Sequence, residues 1–123
     1  MRRALAAALV VSGLLAAGPA AASSGLRVSL LGQTHTPPAG SAWAYYLRVK
    51  DPNGRPWQGT ILIEVVTTKG KHVDGVGQFG FNGSTLRANV WSLADRGQTL
   101  DFRIRFLAGT KVVDTTTYRV AVR

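Results

Sequence analysis

The last quarter of the chain, residues 98–123 (QTLDFRIRFLAGTKVVDTTTYRVAVR), constrains the fold more than any other stretch. Two runs of alternating apolar and polar residues flank a short Gly-containing turn, the sequence pattern of a β-hairpin. In the first run Leu100, Phe102, Ile104 and Phe106 share one face, against Asp101, Arg103 and Arg105 on the other. In the second, Tyr118, Val120 and Val122 oppose Thr117, Arg119 and Arg123. So amphipathic a hairpin needs a second layer over its apolar face. A two-residue loop at Gly109-Thr110 alone would set Phe102 opposite Thr117 and turn Tyr118 and Val120 outward. A three-residue loop, Gly109-Thr110-Lys111, or a bulge of equal effect near Asp114, instead pairs Phe102 with Tyr118, Leu100 with Val120, and Asp101 with Arg119. The second register is expected, with Phe102 in the core and the arginines, Arg103 among them, on a wet face where truncation costs little.

The first residues are read as a leader rather than as part of the fold. Met1-Arg2-Arg3 is a short positive region, residues 4–17 are apolar, Gly18-Pro19 breaks the run, and Ala20-Ala21-Ala22 offers a small-residue cleavage site. The apolar run is too short to span a bilayer. Residues 1–22 are therefore expected to be a secretory signal peptide, and residues 23–123 one domain of about 100 residues, the size of a seven-strand sandwich. The expected localisation is secreted, with no membrane span in the mature chain. No cysteine occurs, which excludes a disulfide framework, a thiol nucleophile and a zinc–thiolate site. The net charge of +9 falls to +7 without Arg2 and Arg3. Such a balance suits anionic partners, but the basic residues are scattered singly, the pattern of a solvated surface.

Strand signals recur at short spacing between the leader and the hairpin. Residues 26–31 are a first candidate, followed by a loop at 33–41 that contains Pro37-Pro38. Residues 42–50 alternate Trp43, Tyr45, Leu47 and Val49 against Ala44, Tyr46, Arg48 and Lys50. Residues 51–56 collect turn-favouring types. Residues 60–68 are β-branched almost throughout, so either face could be the buried one; Glu64 argues for Ile61, Ile63 and Val65 inward. Residues 72–81 are glycine-rich and read as a short, irregular edge strand. Asn82-Gly83 is a hairpin signal of type I′. Residues 84–93 follow, with Leu86, Ala88 and Val90 on one face, and a turn at 94–97 leads into the closing hairpin. Seven strands and no sustained helical period give an all-β sandwich of about seven antiparallel strands.

Two segments resemble a known group. Asp51, Gly54, Arg55, Pro56, Trp57 and Gly59, lying between YYLRV and TILIEV, resemble the B–C region of bacterial immunoglobulin-like domains. Ala94, Asp95, Arg96, Gly97, Gln98, Leu100, Phe102 and Arg103 resemble the E–F passage of small secreted actinobacterial Ig-like proteins. The resemblance implies a secreted Ig-like fold of the cysteine-free bacterial kind. It implies no catalytic or binding residue.

Residue chemistry points away from an enzyme. His35 stands in the Pro-rich loop and His72 beside a turn, with no nucleophile elbow and no carboxylate at useful spacing. Of the six acids, Asp51 and Asp95 are expected to bond local backbone amides. No metal or cofactor is expected. Among the aromatics, Trp43 and Tyr45 read as core, and Trp57 as a candidate for the centre between the sheets. Regular alternation turns Tyr46 and Trp91 outward, where they would form a small patch able to stack on a sugar ring. Arg103, Arg105 and Arg119 form a basic face. These five (Tyr46, Trp91, Arg103, Arg105 and Arg119) are the candidate contact surface. The expected function is a non-catalytic secreted Ig-like binding or structural module. Its partner would be a protein or a cell-wall polymer, with no specific nucleic acid and the chain a monomer. The alternative is recognition of cell-wall glycan by exposed aromatics.

Overall fold

The computed structural model describes residues 25–123; the leader expected at 1–22 lies outside the described residues. Seven strands make two antiparallel sheets. β1 (Arg27–Gly32), β2 (Ala42–Lys50) and β5 (Ser84–Val90) form one, in the order β1-β2-β5. β3 (Gln58–Thr67), β4 (His72–Asn82), β6 (Thr99–Ala108) and β7 (Lys111–Ala121) form the other, in the order β4-β3-β6-β7. A short 3₁₀ turn, Leu93–Asp95, carries the chain from β5 to β6. The sheets face one another as a β-sandwich.

The core follows the period of two. Trp43, Tyr45, Leu47 and Val49 of β2 are buried, as are Ile61, Ile63 and Val65 of β3 and Leu100, Phe102, Ile104 and Phe106 of β6. Val66 is buried too, but on the outer face of β3, beside Asp101 of β6 and His72 of β4. Trp43 lies at the centre, its ring 5.2 Å from Phe102, 5.5 Å from Trp91 and 5.7 Å from Tyr45. Its indole N–H donates to Thr34 O at 2.8 Å. The ring comes so close to β1 that a Cβ on Gly32 would stand 2.3 Å from it; only glycine fits there. Trp57 does not take the central place. It is partly buried at one end of the sandwich, edge-on to Phe106 at 5.7 Å.

The closing hairpin has the expected register, reached by a bulge rather than by a longer loop. Ala108 pairs Lys111 across the two-residue turn Gly109-Thr110, and Leu107 pairs Val112. The shift between Phe106 and Leu107 then leaves Phe106 opposite Asp114, with Val113 as the extra residue. Phe102 consequently faces Tyr118, Leu100 faces Val120 and Asp101 faces Arg119.

Two local expectations are corrected. Asn82-Gly83 is not a hairpin turn, because β4 and β5 belong to different sheets. Gly83, at φ +81°, carries the chain between them: its N–H donates to Trp57 O and its carbonyl accepts from Val49 N, each at 2.8 Å. β4 is an irregular, glycine-rich edge as expected, but at 11 residues it is not short. The Pro-rich segment at 35–39 runs beside the end of β7. Ala121 N donates to His35 O, Arg123 N to Pro37 O, and Ala39 N to Arg123 O. Proline lacks a donor but keeps its carbonyl, so Pro37 can accept here.

Candidate functional site

The outer face of β4-β3-β6-β7 carries three of the candidate residues, and all three are engaged by acids. Glu64 lies directly opposite Arg103 in the β3–β6 ladder. Arg103 Nη2 donates to Glu64 Oε1 at 2.8 Å, Arg105 Nη1 stands 3.6 Å from the same oxygen, and His72 Nδ1 donates to Oε2 at 3.0 Å. These contacts hold the Glu64 carboxyl below its ordinary pKa, the hydrogen bond from Arg103 first and that from His72 second, against a smaller opposing effect of burial. Asp101 receives a two-point contact from Arg119, Nε to Oδ1 at 2.9 Å and Nη2 to Oδ2 at 3.2 Å. That hydrogen bond raises the Arg119 pKa. The expectation of a freely solvated arginine face is therefore corrected: Arg103, only 18% exposed, is half-buried in an ion-pair network.

Trp91 is corrected outright. It is 1% exposed and packs edge-on to Trp43. β5 presents the face opposite to the one expected: Leu86, Ala88 and Val90 point to solvent, while Thr85, Arg87, Asn89 and the following Trp91 point inward. The large indole at the end of the strand takes the core position. Arg87 can accompany it because its guanidinium lies over the Phe79 ring at 3.7 Å and reaches the Tyr45 hydroxyl. Burial nonetheless leaves the Tyr45 pKa raised.

This inversion builds a surface on β1-β2-β5 that the sequence reading foresaw only at Tyr46. Leu31, Tyr46 and Leu86 are in register across the three strands, followed by Ala44 beside Ala88 and Ala42 beside Val90. Leu31 is 61% exposed, Leu86 73%, Val90 62% and Tyr46 37%, and Leu93 is exposed just beyond Val90. In the other direction along the same strands come Ser29, Arg48 and Ser84, then Arg27 beside Lys50. Two shallow depressions of about 300 and 280 Å³ flank Arg48 and Lys50, one lined also by Tyr46, Asn82 and Ser84, the other by Arg27 and Ser29. A third, about 220 Å³, lies between Leu31, Ala44, Tyr46 and Leu86.

Charge is segregated between the sheets. Every acid borne by a described strand (Glu64, Asp74, Asp101 and Asp114) belongs to the four-stranded sheet. Arg27, Arg48 and Lys50 enter no ion pair among the described residues. Asp51, at the end of β2, is occupied as expected, its Oδ1 accepting from Asn53 N and Arg55 N at 2.8 and 3.0 Å. Asp95 departs from expectation. The 3₁₀ turn is capped by the Ser92 hydroxyl, which accepts from Ala94 N. The Asp95 carboxyl is buried, and desolvation, then the nearby Asp74, push its pKa up.

His35 is tied into the fold. Its ring stacks on Tyr118 at 4.2 Å, and Nδ1 donates to Arg119 O at 2.7 Å. Among the described residues no three His, Cys, Asp or Glu side chains gather as metal ligands would. No described helix is long and apolar enough to cross a membrane.

No protein-family model matches the chain, and no curated protein matches it. Among solved structures it is similar to the crystal structure of a DUF4466 family protein from Parabacteroides merdae, with a TM-score of 0.53 and 10% identity over 80% of this chain. The chain spans 44% of that protein's length. The likeness is one of fold, an all-β domain.

Proposed function

We propose that this chain is a secreted, non-catalytic immunoglobulin-like binding module whose contact surface is the outer face of β1-β2-β5. One observation carries the reading: Leu31, Leu86 and Val90 stand exposed in a contiguous group with Tyr46, bordered by unpaired Arg27, Arg48 and Lys50. Single exposed aliphatic residues are ordinary, but a contiguous patch rimmed by polar groups marks an interaction surface. The Ig-like assignment is supported by the three-on-four strand order, by the crossings between sheets at β2–β3, β4–β5 and β5–β6, and by the segment at 35–39 that leaves β1 to lie against β7. Export is supported by the order of charged, apolar and small residues over positions 1–22. Glycan recognition, the alternative, retains only Tyr46 of its two aromatics, and its neighbours Leu31 and Leu86 offer a sugar hydroxyl no partner.

Fractionation of cells producing the full chain tests the reading. The wild-type protein is expected with the cell envelope, and the double variant Leu86→Asn/Val90→Asn, with an unchanged circular dichroism spectrum, in the medium. Equal partition of the two would overturn it.

A further inference from the structure

We propose that the outer face of β1-β2-β5 docks on an anionic lipid surface; this rests on the reading that the face is the contact surface, and it names the partner. The face is graded along its strands. At one end stand the exposed aliphatic side chains Val90, Leu86 and Leu31, which pair across the strands only with Ala42 and Tyr46 and have Ala44 and Ala88 between them. At the other stand Arg27, Arg48 and Lys50, which enter no ion pair among the described residues; Asp51, next along the chain, is held instead by Asn53 N and Arg55 N. Tyr46 lies at the junction, lining both the apolar depression and the basic one. A tyrosine with an apolar body and a polar tip is suited to a boundary between hydrocarbon and water.

Partners of other chemistry meet one half of this surface and not the other. A second copy would bring the same three cations against this face, where no acid answers them. A nucleic acid or polyphosphate would satisfy Arg27, Arg48 and Lys50, yet would have to desolvate its phosphates against Leu86 and Val90. A glycan would stack on rings, and only one ring is exposed here. A bilayer bearing anionic headgroups supplies both halves in the same order: hydrocarbon beneath, negative charge above. With the strands inclined, the Val90 end enters the acyl boundary, while Arg48 and Lys50, some 20 Å or more along β2 at about 3.3 Å per residue from Ala42, remain at headgroup level.

The chain contains no cysteine, so one introduced thiol reports one position. Leu86→Cys, labelled with an environment-sensitive dye, is titrated with vesicles of phosphatidylcholine and phosphatidylglycerol at 7:3, and with phosphatidylcholine alone. Thr117→Cys, exposed on the opposite sheet, is the control. The expected result is a blue shift at position 86 with the anionic vesicles only, and none at position 117. Cosedimentation of the unlabelled protein should fall at least tenfold in Arg48→Gln/Lys50→Gln, since each basic residue near such a surface contributes roughly fivefold. No shift at position 86, equal shifts at both positions, or undiminished sedimentation of the double variant would overturn the inference. If vesicles fail while envelope retention persists and still depends on Leu86 and Val90, the contact surface stands and its partner is a protein or wall polymer instead.

Discussion

The two outer faces of this sandwich carry arginines in opposite states. On β4-β3-β6-β7, Arg103 and Arg105 converge on Glu64 and Arg119 grips Asp101 at two points, so each cation is met within the fold. On β1-β2-β5, Arg27, Arg48 and Lys50 have no such acid and lie beside bare Leu31, Leu86 and Val90. Regularity of spacing, which first draws the eye to β6 and β7, does not separate these states. What separates them is whether an acid sits at the facing or the diagonal position of the neighbouring strand. Paired charge belongs to the architecture; unpaired charge beside exposed hydrocarbon is available to something else.

Both faces are mounted on one shared core, and the largest expected effect falls there. Phe102 is fully buried and touches Trp43, Tyr45 and Trp91. Phe102→Ala should cost about 3–5 kcal/mol, much of the roughly 5–15 kcal/mol a small domain holds. Urea denaturation should show both sheets lost in one transition, read by circular dichroism and by tryptophan emission. Separate transitions would mean that the faces are independently held.

The next effect sharpens the paired side. Glu64→Gln removes the charge that receives Arg103, Arg105 and His72, and should cost roughly 2 kcal/mol near neutral pH, hydrogen bonds to charged partners being worth about 1.5–3. Its pH dependence has a defined sign. The folded pKa of Glu64 is depressed, so its contribution is present above the unfolded value near 4.3 and is lost as pH falls through the lower folded value. The variant and the wild type should therefore converge in acid, below about pH 4. A constant gap between their melting temperatures down to pH 3 would show that Glu64 acts by packing rather than by charge.

Most of the fold was legible because bulky residues alternate in β2 and β6, where a slip of one position would expose Trp43 or Phe102, and because Glu64 marks the outer face of β3. The hairpin register was legible for the same reason, and with it the Asp101–Arg119 pair. The Glu64 cluster was not, because β3 and β6 are far apart in sequence and nothing local states which residues of the two strands face each other. β5 misled in a different way. Its Leu86, Ala88 and Val90 look like a core face, while the competing face carries Thr85, Arg87 and Asn89. Trp91 alone outweighs them, helped by an aromatic ring at Phe79 on which Arg87 can lie. Reading β5 backwards from its tryptophan would have found the exposed patch. Asn82-Gly83 misled because a left-handed glycine serves equally well to turn a hairpin and to step between sheets.

A smaller effect of opposite direction comes from the end of the sandwich that joins β5 to β6. Burial raises the Asp95 pKa, so folding favours the protonated form. Its contribution is present in acid, below the unfolded value, and is lost as pH rises through the folded one. Asp95→Asn should raise the melting temperature at pH 7 by a few degrees at most, with little change near pH 3. A lower melting temperature at pH 7 would mean that the carboxylate has a partner there worth more than its desolvation.

The smallest effect on stability belongs to the residue that matters most to the unpaired face. Leu86 is exposed, and a side chain placed outward for folding alone would cost nothing to exchange for a polar one. Leu86→Asn should shift the unfolding free energy by no more than about 0.5 kcal/mol, while Glu64→Gln, only two strands into the opposite sheet, shifts it severalfold more. The same Leu86→Asn protein should lose envelope retention that Glu64→Gln keeps. That crossing of effects, stability with one face and attachment with the other, is what divides a surface kept for the fold from one kept for a partner. Should Leu86→Asn instead destabilise by 2 kcal/mol or more, the aliphatic row Leu31–Tyr46–Leu86 would be a second, solvent-side packing layer, and its exposure would have no need of a partner at all.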